Sequence, residues 1–241
     1  MDEARQDTLL TRRIPLEIAL MIRVRHVKSC IKILDYLEQR NCFIIVMERL
    51  ECCKDLFDYI TEISYKSSGS GLAEPCAKLL FKQIVETVLA IKKLGVLHRD
   101  IKDENILIDL ENNQIKLIDF GAGTFTSPLK SSKYTEFFGT RVYAPPEWLL
   151  SKSYNGDRAA VWSLGVLLFN MIYGDIPWEE DDDILNCRLT GKKSLFNQCS
   201  SRLDFCLGRD VDDLIKSCLR IDELQRISLD QMLTHKWFSS L

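Results

Sequence analysis

Apolar and polar positions in the first fifty residues follow two different periods. Between residues 14 and 26 the apolar positions recur at helical spacing, which predicts a short helix. Two runs rich in β-branched and aromatic residues follow at 31–38 and 42–48, and the polar residues 39–41 separate them. We therefore predict a helix followed by a β-hairpin.

The rest of the chain has a mainly helical pattern, which a second pair of short strands interrupts. These strands are predicted at 106–109 and 115–118, with a turn at 111–113 between them. Helical periodicity is present at 55–61, 73–94, 159–173, 182–189, 210–219 and 228–235. This mixture predicts an α+β fold, and the second hairpin should hold the charged segments before and after it side by side.

Composition narrows the functional classes. The chain has 241 residues, of which 46% are hydrophobic and 28% charged, and its net charge is −3. No apolar stretch is long enough to cross a bilayer, and no cleavable signal is visible. We expect a cytoplasmic protein, with the nucleus as the alternative, that binds neither membranes nor nucleic acid. The nine cysteines are scattered and are predicted to be free thiols, with zinc binding as a remote alternative.

The segments around the second hairpin carry the candidate chemistry. In chain order they are His98-Arg99-Asp100, Lys102, Asn105, Asp119-Phe120-Gly121 and Pro145-Pro146-Glu147. Each piece alone is a weak signal. Together and in this order they resemble the protein-kinase signatures HRDxKxxN, DFG and APE.

The resemblance extends to one group of these enzymes, the PIM-type serine/threonine kinases. The stretches HRDIKDENILIDL, KLIDFGAG, GTRVYAPPEW, AAVWSLGVLL and GDIPWEEDDDI are close to that group's forms. Ala160 also precedes Val-Trp-Ser, where most kinases have aspartate and PIM-type kinases have alanine. The resemblance implies a kinase fold with a partial small lobe at 1–50, a mainly helical large lobe at 51–241, and a monomeric state.

A kinase of this type would use ATP and Mg²⁺. The resemblance implies that Asp100 orients the substrate hydroxyl and accepts its proton, and that Lys102 neutralises the transferred phosphoryl group. Asn105 and Asp119 would supply the oxygen ligands that Mg²⁺ prefers.

Three more residues match positions around the nucleotide. Glu48 and Leu50 match the hinge, where Leu50 replaces the group's proline and so offers a backbone N–H to adenine. Glu17 matches the glutamate that pairs with a lysine of the small lobe. All three are therefore expected to line the ATP site.

Acidic residues imply a preference for arginine-rich protein substrates. The positions that match the group's binding site for basic peptides are Asp55, Glu104, Asp175 and Glu179. Carboxylates that face a cleft would bind arginine in bidentate fashion.

The resemblance also implies two ion pairs within the chain. Glu136 stands where the group has an acid, and we expect it to pair with Arg99 in place of a phosphate. Glu147 is expected to pair with Arg226, which lies much later in the chain.

The beginning of the chain departs from the kinase pattern. Residues 1–16 contain no lysine, no glycine and no strand-like run. The resemblance therefore predicts a truncated small lobe that lacks the Gly-rich loop and the lysine partner of Glu17. Three interpretations stay open: an active PIM-like kinase, a catalytically impaired pseudokinase or interaction module, and an incomplete gene model of an active kinase.

Overall fold

The computed structural model describes residues 13–67, 70–126, 133–178, 180–185 and 209–239. Its helices are α1 (Leu16–Val24), α2 (Leu56–Lys66), α3 (Glu74–Lys93), α4 (Pro146–Ser151), α5 (Gly156–Tyr173), α6 (Asp181–Leu185), α7 (Arg209–Cys218) and α8 (Leu229–Met232). Its strands are β1 (Ile33–Glu38), β2 (Phe43–Met47), β3 (Cys53–Asp55), β4 (Val96–Leu97), β5 (Ile106–Asp109), β6 (Ile115–Leu117), β7 (Thr124–Phe125), β8 (Lys133–Tyr134) and β9 (Tyr154–Asn155). Short 3₁₀ turns lie at Asp103–Asn105, Arg141–Tyr143 and Lys236–Phe238.

The first part of the chain is the predicted helix and hairpin. Helix α1 buries Ile18, Leu20 and Met21 on its inner face. Strands β1 and β2 pair in antiparallel fashion, and the pairing is irregular only near the start of β1. Alternation along the strands leaves Leu37 and Ile44, which lie opposite each other, exposed on the outer face.

Helix α5 forms the centre of the larger, helical part of the chain. Thirteen of its eighteen residues are buried, as expected for a helix that is apolar on most sides. The Asn155 side chain caps its first turn by accepting from the backbone N–H groups of Asp157 and Arg158, at 3.0 and 3.1 Å. The last residue of the helix is Tyr173, and Gly174, whose φ of 72° suits glycine, is its C-cap. The apolar pattern predicted a start at 159, and the polar cap explains the earlier start.

A three-stranded antiparallel sheet in the order β3–β5–β6 carries the site. The β5–β6 hairpin is the second predicted hairpin and is confirmed. The segment before β1 also joins this sheet, because the Leu117 N–H donates to the Ser29 carbonyl at 2.8 Å and the Leu117 carbonyl accepts from the Ile31 N–H at 2.9 Å. One continuous core of buried residues extends from α1 to the final 3₁₀ turn.

Several predicted boundaries differ from the observed ones. The helix predicted at 55–61 extends to Lys66. It begins one residue later than predicted because Asp55 is its N-cap, whose carboxylate accepts from the Asp58 N–H at 2.7 Å. Of the helix predicted at 182–189, the structure describes Asp181–Leu185, and the remainder lies outside the described residues. In the part of the chain that is described, no helix has the length and apolar character needed to cross a membrane.

Candidate active site

A buried histidine fixes the loop that contains Asp100. Nδ1 of His98 accepts from the Asp100 N–H at 3.3 Å, so the opposite nitrogen, Nε2, is the donor to the Ile118 carbonyl at 2.9 Å. Phe120 packs edge-on against the imidazole at 5.0 Å between centroids. Burial lowers the pKa of His98, so the ring is neutral and acts as a structural link. The loop is thereby attached to the segment that leads into Asp119.

Both carboxylate oxygens of Asp100 are held by hydrogen bonds. Oδ1 accepts from the backbone N–H and the hydroxyl of Thr140, at 2.8 and 2.9 Å. Oδ2 accepts from Nδ2 of Asn105 at 3.0 Å, and the same amide donates to the Asp100 carbonyl at 2.8 Å. With a side chain only 13% exposed, Asp100 is an oriented and largely shielded carboxylate at the end of a loop.

Lys102 brings a positive charge to the same point. Its Nζ lies 3.7 Å from Oδ2 of Asp100 and 2.7 Å from Oε2 of Glu104. Burial by itself would lower the pKa of Lys102, but the hydrogen bond that it donates to Glu104 and the charges of both carboxylates raise this pKa above its ordinary value. Lys102 is therefore a permanent cation beside the carboxylate of Asp100.

Asn105 connects the Asp100 loop to Asp119. The Asn105 carbonyl accepts from the Ile118 N–H at 3.0 Å, which places the two loops side by side as the hairpin prediction expected. Asp119 has a φ of 61°, and its Oδ1 accepts from the Gly121 N–H at 3.0 Å. Positive φ at a residue with a side chain is strained and is found at functional sites.

The donor set fits a hard cation better than a transition metal. Nδ2 of Asn105 is bound to Asp100, so its Oδ1 is the atom left to coordinate, alongside the carboxylate of Asp119. Across the described residues, no three His, Cys, Asp or Glu side chains converge as a metal site. One amide and one carboxylate oxygen suit Mg²⁺, because the coordination shell of this ion in proteins usually includes several waters and phosphate oxygens of the substrate as well.

A cleft of about 610 Å³ lies between the β1–β2 hairpin and the β3–β5–β6 sheet. Four residues predicted to bind the cofactor line it together: Glu17, Glu48, Leu50 and Asp119. Met21, Ile31 and Met47 add apolar walls, and Leu107 and Ile118 belong to the second hairpin. Its size and mixed lining fit a small-molecule ligand.

The two glutamates of the cleft have different surroundings. Burial, and secondly the charge of Asp119, raise the pKa of Glu17 above its ordinary value, and none of the described residues forms an ion pair with it. Burial would also raise the pKa of Glu48, but hydrogen bonds from Lys116 and from the Lys32 backbone N–H bring it below the usual range. The carboxylate of Glu48 is thus already occupied by protein groups.

Comparison with known proteins decides the family. A family model described as protein kinase domain matches residues 1–238. The chain belongs to the protein kinase family. It is 43% identical over 225 residues to serine/threonine-protein kinase prk-2 of Caenorhabditis elegans, covering 93% of this chain and 47% of that protein. It is also 43% identical over 211 residues to serine/threonine-protein kinase pim-2 of Danio rerio, covering 87% of this chain and 61% of that protein.

A third relative is more distant. Testis-specific serine/threonine-protein kinase 5 of Mus musculus is 36% identical over 183 residues, covering 76% of this chain and 47% of that protein. The chain spans about half to three-fifths of the length of these curated relatives. By family it is a serine/threonine protein kinase, and the α+β kinase-like fold predicted from the sequence is confirmed.

The acidic residues predicted to bind a basic peptide are partly engaged within this kinase. Asp55 caps α2, and Glu104 pairs with Lys102. Asp175 is exposed, and its Oδ1 accepts from the Ile176 N–H at 2.8 Å. Glu179 lies outside the described residues.

The predicted pairing of Glu136 with Arg99 is wrong. The guanidinium of Arg99 instead donates to the carbonyls of Ala122 and Gly123, at 2.6 and 3.1 Å. The ring of Phe138 lies 4.8 Å away and that of Tyr134 5.6 Å away. Carbonyl oxygens and ring faces therefore hold this cation where a carboxylate was expected.

The predicted pairing of Glu147 with Arg226 is confirmed. Nη1 and Nη2 of Arg226 donate to the two oxygens of Glu147, at 3.0 and 2.8 Å. The Arg226 side chain is fully buried, and Glu147 is 12% exposed. The pair joins the start of α4 to the loop after α7.

Sequence reasoning missed two residues that support the catalytic loop. Thr140 orients Asp100 through two hydrogen bonds, and its place in the stretch GTRVYAPPEW was the available signal. Asp103 is buried and accepts from the Tyr143 hydroxyl at 3.1 Å and from Nδ2 of Asn170 at 2.6 Å. These bonds attach the loop to α5, and no local pattern marks them.

Proposed function

We propose that this chain is a PIM-type kinase that transfers phosphate from ATP to serine or threonine at arginine-rich sites, with residues 1–50 as its small lobe and 51–241 as its large lobe. One observation carries the proposal. The side-chain amide of Asn105 donates to the Asp100 carboxylate, and the backbone carbonyl of Asn105 accepts from the Ile118 N–H, directly before Asp119. A proton acceptor and two oxygen ligands are therefore held around one point.

Each residue has a distinct task in this scheme. Asp100, fixed by Thr140, orients the substrate hydroxyl and takes its proton as the bond to phosphorus forms. Lys102 places its charge beside the transferred group. Asn105 and Asp119 would hold Mg²⁺, which supplies charge neutralisation on the phosphates when bound. The adenine would lie in the cleft beside the Leu50 backbone.

Replacing Asp119 with asparagine should remove the magnesium-dependent part of nucleotide binding. We expect the affinity for MgADP to fall roughly 10- to 100-fold, as is common when a metal site loses part of its support. Binding of ADP in the presence of a chelator should change much less, because the carboxylate acts through the cation. Isothermal titration calorimetry with and without Mg²⁺ measures both values. Equal MgADP affinity in the variant and the unaltered chain would exclude Asp119 as a ligand.

The proposed specificity predicts a preference between two peptides. The purified chain with labelled ATP and Mg²⁺ should phosphorylate a serine peptide with upstream arginines faster than the same peptide with alanines. Glu104→Gln should reduce this preference roughly two- to fivefold, the range for an exposed charge pair. Glu86→Gln is the matched control, since Glu86 is exposed on α3 and does not line the cleft. Equal rates on both peptides would reject arginine selection, and no incorporation at all would reject transfer.

A second candidate is a kinase fold that binds protein partners and transfers phosphate poorly. The observation that favours it is Glu17, which faces Asp119 with no ion-paired cation among the described residues. In this case MgADP should bind measurably while labelled phosphate appears in no peptide. The calorimetric and transfer assays together separate the two candidates.

A further inference from the structure

The carboxylate of Glu48 links three parts of the protein. Its Oε1 accepts from Nζ of Lys116 at 2.6 Å and from the Lys32 N–H at 2.9 Å. The Glu48 N–H in turn donates to the Lys32 carbonyl at 2.9 Å. Both charged side chains are mostly shielded, with Lys116 18% and Glu48 26% exposed. Such a charge-assisted contact is stronger and better oriented than a surface ion pair.

Lys116 is placed where it can affect both ends of a nucleotide. It lies on β6, three residues before Asp119, and its strand partner is Leu107, which lines the cleft. Its neighbour Leu117 is bonded through the backbone to the segment before β1. The strand that leads to the candidate metal ligand is thus connected to the hinge by one side-chain contact.

We propose that Lys116 is a positioning residue, whose ion pair with Glu48 sets the distance between the hinge backbone and Asp119. This inference depends on the proposed nucleotide-binding function and deepens it. Lys116 does not line the cleft, so it acts through Glu48 and the β6 strand. The affinity of a ligand that contacts both the hinge and Asp119 depends on the distance between them. The affinity of a ligand that contacts the hinge alone does not.

The test compares MgADP with adenosine. We expect Lys116→Met to weaken MgADP binding roughly 3- to 10-fold, the range for altered coupling between two parts of a site. Adenosine, which has no phosphates to reach Asp119, should lose less affinity. KM for ATP should rise in step with the loss of MgADP affinity while kcat changes little, and Lys116→Arg should restore most of the binding because it retains a donor cation.

Two further variants complete the design. Glu48→Gln should match Lys116→Met, and the double variant should be no worse than either single one, because both remove the same contact. Lys236→Met is the control: its ion pairs with Asp210 and Asp213 lie in the last part of the chain, so nucleotide binding should be unchanged.

Each outcome decides the inference. The expected pattern in the Lys116 and Glu48 variants supports it. Lower thermal stability with unchanged MgADP affinity would show a merely structural contact and overturn it, as would equal losses for MgADP and adenosine. If the unaltered chain binds no MgADP, both the proposed function and this inference fail. If the unaltered chain binds MgADP and Lys116→Met binds it equally well, only the inference is overturned.

Discussion

Replacing Asp100 with asparagine should lower kcat for serine phosphorylation by roughly 10²- to 10⁴-fold, the contribution expected of a positioned general base. Asparagine has nearly the same shape, and its amide oxygen can still accept from the N–H and hydroxyl of Thr140. It cannot take the substrate proton, however. Steady-state transfer of labelled phosphate to the arginine-containing peptide measures the loss.

The same variant should retain most of its affinity for MgADP, since Asp100 does not line the cleft. The Asn105 amide loses its bond to the Asp100 carboxylate but keeps its bond to the Asp100 backbone carbonyl, so both candidate cation ligands stay in place. Asp109→Asn provides a matched control. Asp109 ends β5 and accepts from the Glu111 N–H and the Asn112 amide in a surface turn, so transfer should be unaffected. A kcat for Asp100→Asn within about threefold of the unaltered chain would contradict the assigned role, because a general base contributes far more.

Local patterns were sufficient to predict much of this fold. The β5–β6 hairpin and its turn depend on neighbouring residues, and Asn113 in the turn has the positive φ that asparagine tolerates. The prediction that two charged loops meet followed directly from that hairpin. The residues assigned from family motifs come together for the same reason.

Long-range pairings could not be predicted in this way. Strands β4 and β7, and likewise β8 and β9, have two residues each and pair across wide sequence separations, so no periodicity marks them. The partners of Arg99 were missed because they lie 23 and 24 residues later in the chain, beyond any local pattern. They are the Ala122 and Gly123 carbonyls, to which the guanidinium of Arg99 donates.

Side chains with two acceptable roles were also hard to assign. Asp55 was expected to face a peptide, yet its carboxylate caps α2. Glu48 was placed at the nucleotide by its position in the hinge, but its carboxylate is bound by Lys116. The type of residue was informative in both cases, while the direction of its side chain depends on tertiary structure.

Arg226→Met should be the most destabilising substitution considered for this protein, costing roughly 3–5 kcal/mol of folding free energy, as expected when one partner of a buried ion pair is removed. The variant leaves the mostly buried carboxylate of Glu147 unpaired. It also deprives the carbonyls of Arg158 and Arg220 of donors that lie at 2.8 and 3.1 Å. Urea unfolding followed by tryptophan fluorescence gives the free energy difference.

A double variant separates the ion pair from the other bonds of Arg226. Adding Glu147→Leu to Arg226→Met removes the unpaired charge, so part of the lost stability should return. Recovery should be incomplete, since the two backbone carbonyls still lack their donors. Arg141→Met is the control: its guanidinium pairs with Asp181 at an exposed surface, and stability should change far less. An Arg226→Met variant as stable as this control would show that the buried pair does not hold α4 against the end of the chain.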